Sequence, residues 1–322
     1  MVPILSEFHT TVETPTVELV KLLSTARDLG QREITKVLGD AREGAMDRVR
    51  QSMGLTGVPP DPCLDPNEAY LPVDGAARVI HADLASMLIG GLASLLLQML
   101  HPAAMTGVAE HSRYRDDPLG RLAQTATFVG TTTYGSRSDA EALIQRVAAV
   151  HGGVRGFLPD GTSYRASDPH LLRWVHVVEV SMFLAGVRAF GPQPISSELA
   201  DAYVAEMSVI AIGLGLPDPP INEGELRQQL EDFRCELSLI PAGRDARNFV
   251  LRGVSQRPLE RAAYTSLVAA AVGILPTWAQ RQLEIPVLPL ANVVVVRPVA
   301  ATVAAGLRFV VPPAVSRSRR QR

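Results

Sequence analysis

Apolar positions recur at helical spacing along most of this chain. Residues 15–58, from T-P-T-V-E-L-V-K-L-L to D-R-V-R-Q-S-M-G-L, read as one or two amphipathic helices. A proline-rich link follows, V-P-P-D-P-C-L-D-P at 58–66. The next pattern is apolar all round and predicts a long helix over about 75–101. No charge occurs between Asp83 and Glu110, a run of 26 residues. That length is enough to cross a bilayer. However, Ser86, Gly90, Gly91, Ser94, Gln98, His101 and Pro102 interrupt the run. Pro102 should bend or end the helix near His101. The expectation is a fully buried central helix rather than a membrane span.

Further helices are predicted at 102–112 and from Pro118, with Asp117 as N-cap. Another begins at Ser138, where S-D-A-E forms a capping box that lets Glu141 reach back, and ends in Gly152, Gly153 and Gly156. F-L-P-D-G-T-S-Y-R-A, 157–166, reads as a turn or small hairpin. Asp168-Pro169 opens a long helix to about Phe190. The last helices are predicted at 196–214, 223–238, 243–254 and 257–273. No segment alternates over a whole sheet and no repeat stands out. The fold class is therefore all-α: a single multi-helix domain around a buried apolar central helix. The division is 1–60 as an N-terminal helical extension, 61–283 as the principal domain, and 284–322 as an apolar segment with a basic tail.

Composition narrows the function classes. Apolar residues make up 47% and aromatics 5%, which suits tightly packed helices. The 31 basic and 33 acidic side chains leave a net charge of −2, so no nucleic-acid groove is implied. Arg317, Arg319, Arg320 and Arg322 form a basic tail, read as solvated; contact with anionic lipid is the alternative. Cys63 and Cys235 have neither metal-ligand spacing nor a disulfide framework, which fits a reducing compartment. M-V-P-I-L-S-E-F-H-T lacks the pattern of a secretory signal, so a cytoplasmic protein is expected. The segment 285–301 is apolar but carries prolines and Arg297; it suggests a packed irregular tail or a membrane-docking surface.

The stretch from Gln98 to Gly156 holds the candidate chemistry. His81, His101, His111 and His151 fall within or just before it. Imidazole ligates iron and moves protons near neutral pH. His151 shares an apolar stripe with Leu143, Ile144, Val147, Val150 and Val154. Gly152 and Gly153 remove side chains beside it, which suits a flat macrocycle lying close to the backbone. A core histidine donating to a carbonyl is the competing explanation. Arg121, Gln124 and Thr125 share one helix face. The guanidinium could pair with a cofactor carboxylate, and Gln or Thr could donate to a bound oxygen species. Glu110, closing the uncharged run, is a candidate acid or base. His176 and Glu179, one turn apart, suit a metal site or a structural pair. Trp174 and Tyr164 read as packing residues.

The ordered motifs Q-x-x-H-P, G-V-A-E-H-S, D-P-L-G-R-L-x-x-T, V-x-x-V-H-x-x-V-R-G, Y-x-A-x-D-P and L-L-x-W-V-H resemble the rubber-oxygenase catalytic domain family over about 65–280. That family includes latex-clearing proteins and the oxygenase of mycophenolic acid biosynthesis. The resemblance implies an all-α fold around haem b, a globin-like pocket, and His151 as proximal iron ligand. It places Arg121 and Thr125 beside the cofactor. Gln124 stands where well-known rubber cleavers carry a lysine that can reach the distal iron site. Glu110 is the nearest match to a proposed catalytic base, so Glu110 and Gln124 are the catalytic candidates. The implied function is a haem-dependent oxygenase acting with dioxygen on a hydrophobic, isoprenoid or lipid-like substrate. Peripheral membrane contact is expected with it. The alternatives are a non-haem iron or manganese oxidoreductase using His101, Glu110, His111, His151, His176 and Glu179, and a non-catalytic haem- or lipid-binding protein.

Overall fold

Side-chain caps set where the helices beginning at Leu84, Pro118, Arg137, Pro169, Ser197 and Glu223 start. The computed structural model describes residues 62–253 and 257–311. The helices expected over 15–58 and the basic tail lie outside the described residues. Helices α1 (Ala76–His81) and α2 (Leu84–Gln98) divide what the spacing predicts as one helix. The break falls at Asp83, whose carboxylate accepts from Ser86 N (3.2 Å) and Ser86 Oγ (2.5 Å). A charge that caps so firmly starts a new helix. The uncharged run then breaks again. α3 (Pro102–His111) leaves α2 at 104°, with His101 as N-cap and Pro102 in the first turn.

α4 (Pro118–Tyr134) begins on Asp117, which accepts from Gly120 N as predicted. α5 (Arg137–Gly153) starts one step earlier than its sequence suggests. Ser136, not Ser138, is the N-cap and accepts from Asp139 N, while Glu141 lies 3.9 Å from Arg137 on an exposed face. The predicted capping box is thus replaced by a plain serine cap. β1 (Arg155–Phe157) and β2 (Ser163–Arg165) form the small hairpin, with Gly156 opposite Tyr164. α6 (Pro169–Phe190) is capped by Asp168.

α7 (Ser197–Gly213), α8 (Glu223–Asp232) and a 3-10 turn, Phe233–Cys235, lead to α9 (Pro241–Arg252), α10 (Pro258–Ile274) and α11 (Thr277–Gln282). The segment expected to be irregular is helical: α12 (Pro289–Ala291), a π-helical turn (Asn292–Val296) and α13 (Arg297–Val310). The all-α class holds.

α2 and α6 cross at the centre, and glycine sets their separation. A Cβ on Gly90 would lie 2.7 Å from Met182 O; one on Gly186 would lie 2.7 Å from Ser86 O. The two backbones therefore touch. Leu96, Leu97 and Leu100 pack in the same core cluster as Trp174, Val177 and Val178, all fully buried. The buried central helix expected from the uncharged run is α2. α13 rests on α2 and α10. Arg308 clamps it there, donating to both Asp83 oxygens (2.8 and 2.7 Å) and to the carbonyl of Phe190.

Gly90→Ala and Gly186→Ala should each destabilise the fold by about 1–3 kcal/mol, because the added methyl meets rigid backbone. Gly91→Ala is the control: its Cβ would sit 3.6 Å from Phe183 Cε1, an ordinary contact. It should be neutral or stabilising by up to about 1 kcal/mol, from helix propensity alone. Denaturant titration of the three variants checks this; equal stabilities would remove the close crossing.

Candidate functional site

The end of α5 brings together the clearest unpaired chemistry. His151 lies in the last turn, half-buried. Its Nδ1 is fully buried and has no hydrogen-bond partner among the described residues, where the core-histidine explanation looks for a carbonyl acceptor. Burial and then the nearby Arg121 charge hold the imidazole below its ordinary pKa. The neutral ring is the form that binds metals. Gly152 and Gly153 are exposed, and a Cβ on either would find nothing within 4 Å. The apolar stripe is narrower than predicted. Ile144 is buried and Leu143, Val147 and Val154 are half-buried, but Val150 is 61% exposed.

Arg121 keeps accessible surface, yet burial lowers its guanidinium pKa. Gln124 and Thr125 are exposed on the same helix. Thr125 Oγ1 donates to the Arg121 carbonyl at 3.2 Å, so its proton is already used. It can accept from a ligand but not donate, which revises the expectation for this residue and leaves Gln124 as the free amide donor on that face.

Glu110 ends α3 against the hairpin. Tyr164 Oη donates to its Oε2 at 2.5 Å. Burial, then this bond, raises the Tyr164 hydroxyl to about 12. Tyr164 thus does more than pack; nothing in its sequence neighbourhood signalled the bond, since its partner is 54 residues away. Gly156 makes the pair possible: a Cβ there would lie 2.7 Å from Tyr164 Oη and 2.9 Å from Glu110 Oε2. Trp174 packs, fully buried.

His176 and Glu179 do not pair with each other. Burial lowers His176 to about 4, with a contribution from Arg173, and its Nε2 is buried without a partner. Burial alone raises Glu179 to about 7. Glu179 is half-buried. Tyr203 feels its charge and bonds His81 Nε2 at 2.9 Å, while His81 Nδ1 meets Thr133 Oγ1 at 2.8 Å. His81 is accordingly a satisfied core histidine, lowered to about 3 by burial. Of the residues considered for a non-haem centre, only His101 lies in a three-ligand group among the described residues. Its companions are His170 and Glu236, which sequence spacing did not single out.

The chain belongs to the family described as ER-bound oxygenase mpaB/B'/rubber oxygenase, catalytic domain, which it matches over residues 78–305. It thus carries an oxygenase catalytic domain, of the oxidoreductase class. It is 26% identical over 136 residues to uncharacterised proteins of Mycobacterium bovis and Mycobacterium tuberculosis, covering 39% of this chain and 51% of theirs. The chain spans about half the length of these relatives. The actinobacterial branch fits. No solved structure matches it.

Glu179 gives a pH signature of definite sign. Its carboxyl, raised from 4.5 to about 7, holds in the folded state a proton that the unfolded chain has released. Its contribution is complete below pH 4.5 and is lost as pH rises through 7. His81 and His176, lowered from 6.5, act oppositely: their contributions are present above 6.5 and lost on acidification. Glu179→Gln should therefore make stability rise more steeply between pH 4.5 and 7, by up to about 1.4 kcal/mol per pH unit. Unfolding free energies measured across that range check this; parallel curves for the two proteins would return Glu179 to an ordinary ionised carboxylate.

Proposed function

We propose that this chain is a haem-dependent oxygenase that uses dioxygen on a hydrophobic, isoprenoid or lipid-like substrate. The observation that carries the reading is His151: a neutral imidazole with an unpartnered buried nitrogen, bordered by two glycines with free space around them. The family supplies the reaction class. His151 would be the iron ligand of haem b. A bound haem supplies the redox chemistry with dioxygen, which no side chain of this set provides.

The other residues divide the remaining work. Arg121 adds to the burial that holds His151 below its ordinary pKa and offers a guanidinium to a cofactor carboxylate. Thr125 accepts hydrogen bonds at the same face, and Gln124 donates them. Glu110 holds a proton route at Oε2, where Tyr164 donates. Glu179, titrating near 7, lies in the range a general acid or base requires. The non-haem alternative is less well supported, because its ligands are dispersed among the described residues.

Purified protein should show a Soret band with iron in stoichiometric amount. His151→Ala should lose that band while keeping its helical circular dichroism. Retention of an unchanged spectrum would exclude His151 as ligand. Arg121→Ala should lower haem occupancy; unchanged occupancy would return Arg121 to a structural role.

Membrane association completes the reading. Two helices are long and apolar enough to cross a membrane, Pro169–Phe190 and Pro289–Phe309. The first is largely buried in protein; only 11% of the second is. Leu290, Val293, Val294, Val295 and Phe309 are each more than half exposed. The opposite face packs, through Ala300 and Ala304. This is the arrangement of an interfacial helix, with one face on protein and one in lipid. In sequence, four arginines at 317–322 follow, suited to anionic headgroups. The protein should float with phosphatidylserine-containing vesicles, and Val293→Asp with Val295→Asp should abolish flotation. Wild-type protein left at the bottom of the gradient would dismiss lipid as the partner of this face.

A further inference from the structure

Three side chains from three segments converge away from the residues assigned above. His101 precedes α3, His170 lies in the first turn of α6, and Glu236 follows the 3-10 turn at Phe233–Cys235. Glu236 Oε2 is 2.7 Å from His170 Nε2 and 3.8 Å from His101 Nε2. All three ligand atoms lie within 4.8 Å of one another.

His101 is the member that needs an explanation. It is 6% exposed, its Nε2 is fully buried, and that nitrogen has no hydrogen-bond partner. It aims at the carboxylate from a distance too long to bond. Leaving a buried imidazole nitrogen unpaired costs about 1–3 kcal/mol. The ring is nevertheless held in place. Trp174 and Phe233 lie against it at centroid distances of 5.9 and 6.2 Å, and Phe233 also stacks on His170 at 4.7 Å.

We propose that His101, His170 and Glu236 form a binding site for a divalent transition-metal cation of the zinc type. Two imidazole nitrogens and one carboxylate oxygen suit a borderline cation, whereas calcium and magnesium select all-oxygen sets. Ligands about 2.0–2.2 Å from a tetrahedral ion stand about 3.4 Å apart. The two distances to Glu236, 2.7 and 3.8 Å, bracket that spacing, and the two imidazoles lie within 4.8 Å of each other. The carboxylate offsets part of the cation's charge. His170 and Glu236 are half-exposed, which gives the ion an entry path and leaves its fourth position to water.

Binding at Nε2 places the His101 ring proton on Nδ1. This gives up the contact from Ala104 N, which at 3.5 Å is at the outer limit of a hydrogen bond. In return the ion joins the starts of α3 and α6 to the end of the α8 segment. The site is separate from His151 and does not depend on the haem reading.

Tag-free, chelator-treated full-length protein titrated with zinc by calorimetry tests this. One zinc per chain should bind, and the melting temperature should rise with it. His170→Ala and Glu236→Gln change half-exposed residues and should weaken binding by more than about 100-fold, beyond the 10–100-fold that loss of an outer-shell partner costs. His151→Ala should bind zinc as wild type does. Absence of saturable binding, unchanged affinity in both cluster variants, or loss of the zinc site in His151→Ala would each overturn the proposal.

Discussion

The crossing of α2 on α6 at backbone contact is the constraint on which the rest of the fold depends. Gly90 and Gly186 face each other's helices without side chains, and each would strike a carbonyl if it carried one. Such an approach fixes rotation as well as distance, since only the glycine face can come so near. Once that face of α6 is committed to α2, its remaining faces are set. His176 and Glu179 are then held in enclosed surroundings by a helix that has no freedom to turn them out to solvent. Their perturbed titration follows from this: both are displaced chiefly by burial rather than by a paired charge.

Desolvation also links the candidate groups at the end of α5. Burial displaces both Arg121 and His151, the Arg121 charge adds to the His151 shift, and neither has its polar atoms spent on a partner of opposite charge among the described residues. In a fold that satisfies His81 at both ring nitrogens, the unpaired nitrogens of His101, His151 and His176 stand out by contrast. The same chain shows that it can complete a buried imidazole when structure alone is served. Polar capacity left open at three other histidines among the described residues is the pattern expected where bound water or ligands, rather than neighbouring side chains, complete the bonding.

The legibility of these features in sequence follows the range of the interactions that make them. Helix starts at Asp117 and Asp168 are local, since a cap bonds an amide two or three residues on, and their spacing reads directly. The break at Asp83 is local as well, but an apolar pattern on both sides masks it. Ser136 and Ser138 both offer a hydroxyl within two residues of each other, and Ser136 is the one whose oxygen accepts from Asp139 N. The ordered motifs carried the family, and the stretch from Gln98 to Gly156 does hold Arg121 and His151. Tyr164 with Glu110, and His170 with Glu236, are bonds across 54 and 66 residues. No periodicity encodes such pairs; they exist only once α3 meets the hairpin and the 3-10 turn returns to α6.

The C-terminal helix shows how one segment meets two solvents. Its sequence satisfies the length and apolarity of a membrane span. A span, however, would have to remove Arg308 from Asp83, and that pair is the more demanding interaction. Asp83 is almost wholly buried, caps α2, and receives two charge-assisted bonds from one guanidinium. Withdrawing the arginine would leave a buried carboxylate uncompensated, at a cost of about 3–5 kcal/mol. It would also uncover the alanine face that packs on α10. Val293, Val294 and Val295 of the π-helical turn have no such commitment. The turn is held to the protein through Val296, which packs against the core, and Asn292, which donates to the Gly273 carbonyl, while Val293, Val294 and Val295 between them point outward. The helix is thus anchored to protein at its polar end and along one face, and its remaining apolar surface is directed outward.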